Sequence, residues 1–418
     1  MAITSVVKGS VQRLLAFLCF VVLKIVAVLA PKWRVQVMTT NHQFFGHLLL
    51  EPEKFLSTRD AAGELYEIDF IGEKDWRNIG MGSVGSANRK VLAVWSLGKK
   101  RTAPNRQLRM MWKRSIHCVP GFISGMLVRA SRTWKLSNVS EYTFSSLLSV
   151  EKNFDDSPIH LKFSPKEIAQ AKLDAVALGL DLTKPFVCLV VRNETSPSTD
   201  SELRSRPISD FVEAVKVLVE SHIQVVRMGA AKSPPLQFGH PLVFDYANSG
   251  KRSELLDLFL ASKCVFAVST LSGPDAACLV FRKPVLYVDL ANYSLCFSGT
   301  SLTTWVPARI VEESTNKALS LHQVFECGAG WFWKHSQFAD AGLRVERSTA
   351  SEIAQYVREM VKRTQGAIGD QPLSEMQLTY QSTFALAMGD LGAQWHGQIR
   401  SQMSESFLSE HADWFLGR

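Results

Sequence analysis

Four arginines, a serine–glycine pair and two histidines hold most of the chemistry that this 418-residue sequence offers. Arg192 follows the apolar run FVCLVV, Arg204 and Arg206 precede a helical stretch, and Arg227 and Gly229 end IQVVRMG. Asp245 follows LVF, and Ser272-Gly273 follows CVFAVS at the start of GPDAACLVF. Guanidinium forks match phosphate oxygens. A helix start offers unpaired N–H groups and a positive dipole end, which suits a diphosphate. Together these residues read as an anion site, although each alone has a bland reading as a surface ion pair or a helix cap.

His42 and His47 stand in TTNHQFFGH, between a strand-like VQVM and a helical LLLEPEKFL. An imidazole there suits a general base, because its ordinary pKa lies near neutrality. Glu51, one turn beyond His47, either orients it or merely starts the helix. GMGSVG (80–85) fits G-x-G-x-x-G, but no acidic residue follows within about 20 positions to hold a ribose. It reads as a glycine turn. There is no D-x-D, no H-x-x-x-H and no G-x-S-x-G. No metal ion, no cofactor and no serine hydrolysis is therefore expected.

Such residues converge only if something lines up the ends of their strands. The runs 65–71, 91–97, 186–191, 223–229, 242–247, 264–269 and 284–290 are apolar and strand-like. Between them lie stretches with helical spacing: 208–221, with Ser209 as a candidate cap, and 253–262. SPKEIAQAKLDAVALGL adds a Ser-Pro helix start and a glycine near its end. Alternation of this kind predicts an α/β fold with parallel sheets and right-handed crossovers. In open parallel sheets, ligands sit beyond the carboxyl ends of the strands. The expected organisation is an apolar helix in 1–34, a basic α/β domain in 35–150, a connector helix in 151–184, a second α/β domain in 185–345 and helices in 346–418.

Composition narrows the partners. A 46% hydrophobic and 21% charged chain excludes wholesale disorder and a fibre, and the net charge of +8 favours anionic partners. Residues 76–140 hold thirteen Lys or Arg and no Asp or Glu, a face suited to anionic lipid or substrate. Nucleic acid is disfavoured, since no binding motif accompanies the charge. Residues 14–30 are apolar except for Lys24, with Lys8, Arg13, Lys32 and Arg34 flanking them. A membrane-associated helix, a core helix and a cleaved signal all remain open. The seven cysteines are scattered without a C-x-x-C pair and read as buried thiols of a reducing compartment.

FFGHLLLEPEKFL, Arg204 ahead of a helix leading to VVRMG, FDYANSGKRSELLDLFLASKCVFAVSTLSGPDAA and STASEIAQYVREM together resemble a bacterial glycosyltransferase family associated with surface-polysaccharide biosynthesis. The resemblance covers roughly residues 38–365. It implies a GT-B-like architecture of two Rossmann-like domains facing a cleft. The first would be the acceptor side and the second would bind a nucleotide-sugar donor. Arg227 and Gly229 match the family's R-M-G turn, Ser272 and Gly273 its donor-side helix start, and Gly46 and His47 its first-loop Gly-His. His47 and Glu51 then stand as catalytic residues, and Arg192, Arg204, Arg227, Gly229, Asp245, Ser272 and Gly273 as donor-binding. Where an aromatic-Arg-Asn pattern is expected the sequence has ELRSRPIS, which leaves Arg204 and Arg206 as rival candidates. The implied activity is metal-independent transfer of a sugar to a glycan or lipid-linked acceptor at the cytoplasmic face of the inner membrane. A non-catalytic membrane-surface scaffold and a nucleotide-sugar epimerase are the alternatives.

Overall fold

A computed structural model of the chain describes Leu14, Phe17, Leu18, residues 20–22, Lys24, Ile25, then residues 35–40, 49, 50, 53, 54, 57, 68–73, 115–119, 139–142, 154–163, 165–192, 203–229, 234–365 and 373–416. It divides into two compact units, residues 1–147 with 157–164 and residues 148–156 with 165–418.

The first unit holds a parallel sheet of β1 (Val35–Thr40), β2 (Ile68–Glu73), β3 (Ser115–Val119) and β4 (Val139–Tyr142), in the order β3-β2-β1-β4. Val35 pairs with Ile68 on one side and Val139 on the other. The chain thus runs outward from β1 to β3 and then returns to lay β4 on the far side of β1. Such a reversal opens a crevice beyond the carboxyl ends of β1 and β4. Thr40 ends β1, and residues 41–48, with His42 and His47, follow it in the chain. Those residues, Glu51 and the run 91–97 lie outside the described residues. Helical Leu49, Leu50, Glu53, Lys54 and Ser57 are buried, at the spacing of one helix face. Glu53 accepts from the His160 backbone N–H at 3.2 Å and lies 3.2 Å from its Nδ1, and Ser57 Oγ accepts from Ser157 at 2.7 Å. Closer to the amino terminus, Leu14, Phe17, Leu18, Val22 and Ile25 are helical and exposed. Among the described residues no helix is long and apolar enough to cross a membrane.

The second unit is larger. Its strands are β5 (Phe186–Val190), β6 (Gln224–Met228), β7 (Val243–Phe244), β8 (Ala267–Ser269), β9 (Val285–Leu290), β10 (Thr303–Pro307), β11 (Arg309–Glu312), β12 (Lys317–Ala318), β13 (Leu343–Glu346) and β14 (Gln402–Met403). A seven-stranded parallel sheet has the order β14-β10-β9-β8-β5-β6-β7, and β12-β11-β13 form a small antiparallel sheet. The large sheet also reverses, between β5 and β8. Strands β5, β6, β8 and β9 are buried at every position, so both faces need cover. Helices supply it: α1 (Pro165–Leu178), α2 (Val212–Glu220), α3 (Glu254–Lys263), α4 (Gly273–Val280), α5 (Leu321–Glu326), α6 (His335–Asp340), α7 (Ala350–Gln365), α8 (Glu375–His396), α9 (Glu405–Glu410) and α10 (Ala412–Leu416). Right-handed crossovers put α2 on one face and α3 and α4 on the other. α7 packs on α2, α1 packs on α3, and α3 packs on α4.

Local chemistry sets the ends of these helices. Gly179 ends α1 at φ +103°, and the Leu180 N–H reaches back to the Ala175 carbonyl at 3.1 Å, the 6→1 bond of a glycine stop. Ser253 caps α3 by accepting from the Leu256 N–H at 3.2 Å. Ser209 does not cap α2; it lies in a 3₁₀ turn, Ile208–Phe211, which Pro207 opens. The carboxyl-terminal stretch holds α7 to α10 and also gives β14 to the large sheet. β14 is fixed by Gln377, which donates to the Met403 carbonyl at 2.5 Å and accepts from its N–H at 3.1 Å. Beneath it, Trp305 Nε1 donates to the Tyr380 hydroxyl at 2.5 Å, 3.0 Å from Ser401 Oγ. Cys188, Cys264, Cys278 and Cys296 are buried, whereas Cys327 is exposed.

Candidate functional site

The reversal between β5 and β8 selects a place before any side chain is considered. Two segments leave the sheet there, residues 191–192 after β5 and residues 270–273 after β8. They are tied across the gap. The Arg192 N–H donates to Thr270 Oγ1 at 3.0 Å, and the Thr270 N–H donates to the Val190 carbonyl at 3.3 Å. The loop before α2 joins them, since the Arg206 N–H donates to the Arg192 carbonyl at 2.9 Å. Arg204 Nη1 reaches the Leu271 carbonyl at 3.4 Å. Arg192, Arg204, Ser272 and Gly273 are therefore brought to one crevice, with Ser272 as the N-cap residue of α4 and Gly273 as its first residue.

Asp275, one residue into the first turn beyond Pro274, organises this corner from below. Its Oδ2 accepts from Ser269 Oγ at 2.5 Å and from the Ser272 N–H at 2.6 Å, and its Oδ1 accepts from the Tyr287 hydroxyl at 3.2 Å. Burial pushes its carboxyl up to about 6, against the pull of those donors and of the Arg204 charge. Tyr287 is pushed up in turn, by its own burial and by the carboxylate beside it. The turn above is strained: Leu271 sits at φ +65°, its N–H held by Ser269 Oγ at 3.1 Å. A leucine in the left-handed region costs free energy, and such strain concentrates where a backbone must present itself to a ligand.

The rival arginine has a different fate. Arg206 is 6% exposed. Its Nε and Nη2 bond Asp210 Oδ2 at 2.8 and 2.6 Å, its Nη1 is paired with Asp289, and its Nη2 also donates to the Ser348 carbonyl at 3.1 Å. Asp289, at φ +57°, accepts from the Ser348 N–H and hydroxyl at 2.9 and 2.8 Å. Burial pushes the Asp289 carboxyl up, while Arg206 and Ser348 pull the other way. All of Arg206's reach is spent inside the fold.

Arg227 and Asp245 find each other. Arg227 is 1% exposed, and its Nη1 bonds Asp245 at 2.9 and 3.2 Å. Asp245 Oδ2 also accepts from the Leu236 N–H at 3.1 Å and Asn248 Nδ2 at 3.0 Å. The pair belongs to the β6–β7 side of the sheet and fixes the segment that returns to β7. Gly229 follows β6 at φ +144°, a conformation that L side chains rarely adopt.

Beside Arg204 lies a shallow cleft walled by Leu271, Leu290, Asn292, Leu295 and Trp333. Asn292 and Trp333 are not among the residues that sequence reasoning selects. Asn292 stands just past the carboxyl end of β9, so the strand-end rule that found the others applies to it as well. Elsewhere in the unit, ligand atoms of Glu352, Glu410 and His411 lie within 4.8 Å of one another. The Arg309 guanidinium is 4.0 Å from Glu352, and together with burial it holds His411 below its ordinary value. A cation there would meet a resident positive charge.

Neither a family model nor a curated protein matches the chain. Solved structures similar to it include a glycosyl transferase family 9 protein from Veillonella parvula DSM 2008, at 12% identity and TM-score 0.36, covering 61% of this chain and 81% of that one. E. coli ADP-heptose LPS heptosyltransferase II is similar at 14% identity and TM-score 0.32, covering 61% and 84%. S. aureus MnaA, in a co-structure with UDP, is similar at 10% identity and TM-score 0.29, covering 92% and 97%.

Proposed function

We propose that the chain is a glycosyltransferase whose second unit holds a nucleotide-sugar donor at the β5–β8 reversal. One observation supports this above the others: Arg192, Arg204 and the Ser272–Gly273 helix start converge at the one point of a seven-stranded parallel sheet where its order reverses. The dipole end of α4 and the two guanidinium groups would stabilise the diphosphate as the sugar leaves, without a metal ion. His47, which follows β1 in the chain, is the proposed base toward the acceptor hydroxyl, with Glu51 as its orienting neighbour. The acceptor is a glycan or a lipid-linked glycan of surface-polysaccharide synthesis. The exposed apolar stripe of Leu14, Leu18, Val22 and Ile25, together with the basic 76–140 segment, supports docking on an anionic membrane surface, at the cytoplasmic face of the inner membrane.

The test is equilibrium binding of UDP, GDP, ADP and CMP, and of sugar nucleotides built on them, to the full chain and to Arg204→Ala. Selective binding that weakens in the variant is expected. Absence of binding across the panel overturns the donor reading and leaves the fold as a scaffold. Conversion of a donor alone into a second sugar nucleotide would make the chain an epimerase. For the base, His47→Ala with the fold intact is expected to lower turnover by orders of magnitude, and unchanged turnover overturns that assignment.

A further inference from the structure

We infer that the cleft beside Arg204 seats the aromatic base of the donor, with Trp333 as the ring it stacks on, so that the leaving diphosphate is carried on a nucleoside and not on a polyprenyl chain. The inference rests on the reading of the second unit as the donor-holding one, and deepens it.

The cleft continues the proposed anion site through two shared residues. Leu271 lies in the turn between β8 and α4, directly before the Ser272–Gly273 helix start, and is also a wall of the cleft. Arg204 donates from Nη1 to the Leu271 carbonyl at 3.4 Å and lines the same cleft. A diphosphate at the start of α4 therefore has the cleft as its neighbour. Beyond Arg204 the walls change character, to Leu203, Leu271, Leu290, Ala291 and Leu295. A charged group gains nothing from such a bed. An uncharged ring of the same ligand does, because it leaves water there.

Trp333 decides which kind of apolar group fits. It ends a run of three aromatic residues with different fates. Trp331 packs edge-on against Phe325 with ring centroids 5.8 Å apart, and Phe332 packs against Phe338 at 5.1 Å. Trp333 keeps 45% of its surface exposed at the wall of the cleft. Its backbone is nonetheless fixed: Gln337 Oε1 accepts from the Trp333 N–H at 2.8 Å and from the Lys334 N–H at 2.9 Å. An indole on a fixed backbone loses less freedom when a ligand covers it. A nucleobase gives that indole both covered area and a flat face to stack on, and every base has such a face. A polyprenyl chain gives area alone, and its many rotors must be ordered to do so.

The experiment measures equilibrium binding of UDP, GDP, ADP, CDP, inorganic pyrophosphate and farnesyl diphosphate to the full chain, Trp333→Ala, Trp333→Phe and Arg204→Ala, with the far-ultraviolet spectrum as control for the fold. The best-bound nucleoside diphosphate is expected to exceed pyrophosphate by about tenfold or more, the scale of one base stacked on an aromatic ring. Trp333→Ala is expected to remove that advantage and leave pyrophosphate unchanged. Trp333→Phe should restore most of it, and Arg204→Ala should weaken nucleotides and pyrophosphate alike. Unchanged nucleotide affinity in Trp333→Ala overturns the inference and leaves the donor reading standing. Loss of pyrophosphate in that variant with the spectrum intact does the same, and so does tighter binding of farnesyl diphosphate than of every nucleotide. No binding of any probe to the unmodified chain overturns the donor reading and this inference with it.

Discussion

Arg204 and Arg206 stand two residues apart in one loop, carry the same side chain, and do opposite things. Arg206 is closed in by two carboxylates and a carbonyl. Arg204 walls the cleft and touches the strained turn at Leu271. The first is a cation that the fold needs in order to keep Asp289 buried. The second stands at the wall of a cleft, where the proposed donor site would use it. Charge type alone does not show that Arg206 is spent inside the fold; its partners do.

The largest effect that would break this comparison is on stability. Arg206→Ala leaves Asp289 buried at 5% exposure without its counter-charge. Loss of one partner of a buried pair costs about 3–5 kcal/mol, so the denaturation midpoint should fall steeply. Arg204→Ala should shift stability by less than about 1 kcal/mol. Equal losses in both variants would erase the distinction.

Next is the pH dependence of the corner beneath Arg204. Asp275 is pushed up to about 6 in the fold, above its ordinary unfolded value of 3.8. The folded chain therefore binds that proton more tightly, and its stability falls as pH rises from about 4 to about 6; above that window the loss is complete. The contribution is on the order of 3 kcal/mol. Asp275→Asn, which keeps an acceptor for the Ser272 N–H, should remove this decline in a series of chemical denaturations. A variant with the same slope as the parent would place the proton elsewhere.

A smaller effect is expected on affinity. Hydrogen bonds to a charged group contribute about 1.5–3 kcal/mol, so Arg204→Ala should weaken a bound sugar nucleotide roughly tenfold to a hundredfold. Calorimetry on the purified chain would read it. The smallest effect is a matter of access. Cys188 on β5 and Cys278 on α4 stand at the two sides of the reversal and are 0% exposed, while Cys327 is open. An alkylating reagent should label Cys327 in the native chain and leave Cys188, Cys264, Cys278 and Cys296 until it unfolds. Early labelling of Cys278 would mean that the crevice is not closed from beneath.

Much of the second unit was legible because its strands are buried on both faces. FVCLVV, IQVVRMG and PVLYVDL are continuous apolar runs, and only a covered parallel sheet wants those. β14 is two residues long and carries no pattern; its place is decided by Gln377 and by the free edge of β10, both distant in the chain. The arginines show the same limit. Nothing near ELRSRPIS tells which guanidinium is to be buried, because the partner that decides it, Asp289, lies 83 residues on. Leu271 gives no sign of its positive φ, since turns of that kind usually announce themselves with glycine. Asn292, by contrast, was in reach: it follows β9 as Arg192 follows β5.

β14 has a consequence for how the protein is made. The edge of β10 is covered by residues 402–403, which leave the ribosome about a hundred residues after the strand they protect. Until then, a nearly finished parallel sheet presents an unpaired edge, with Trp305 waiting for Tyr380 and Ser401. Open edges of that kind recruit other chains. Synthesis at ~5–20 residues per second sets an interval of several seconds in which the nascent chain is most in need of a chaperone. A stop codon or a cleavage just short of Gln402 would make that interval permanent, turning a transient hazard of translation into an aggregating product.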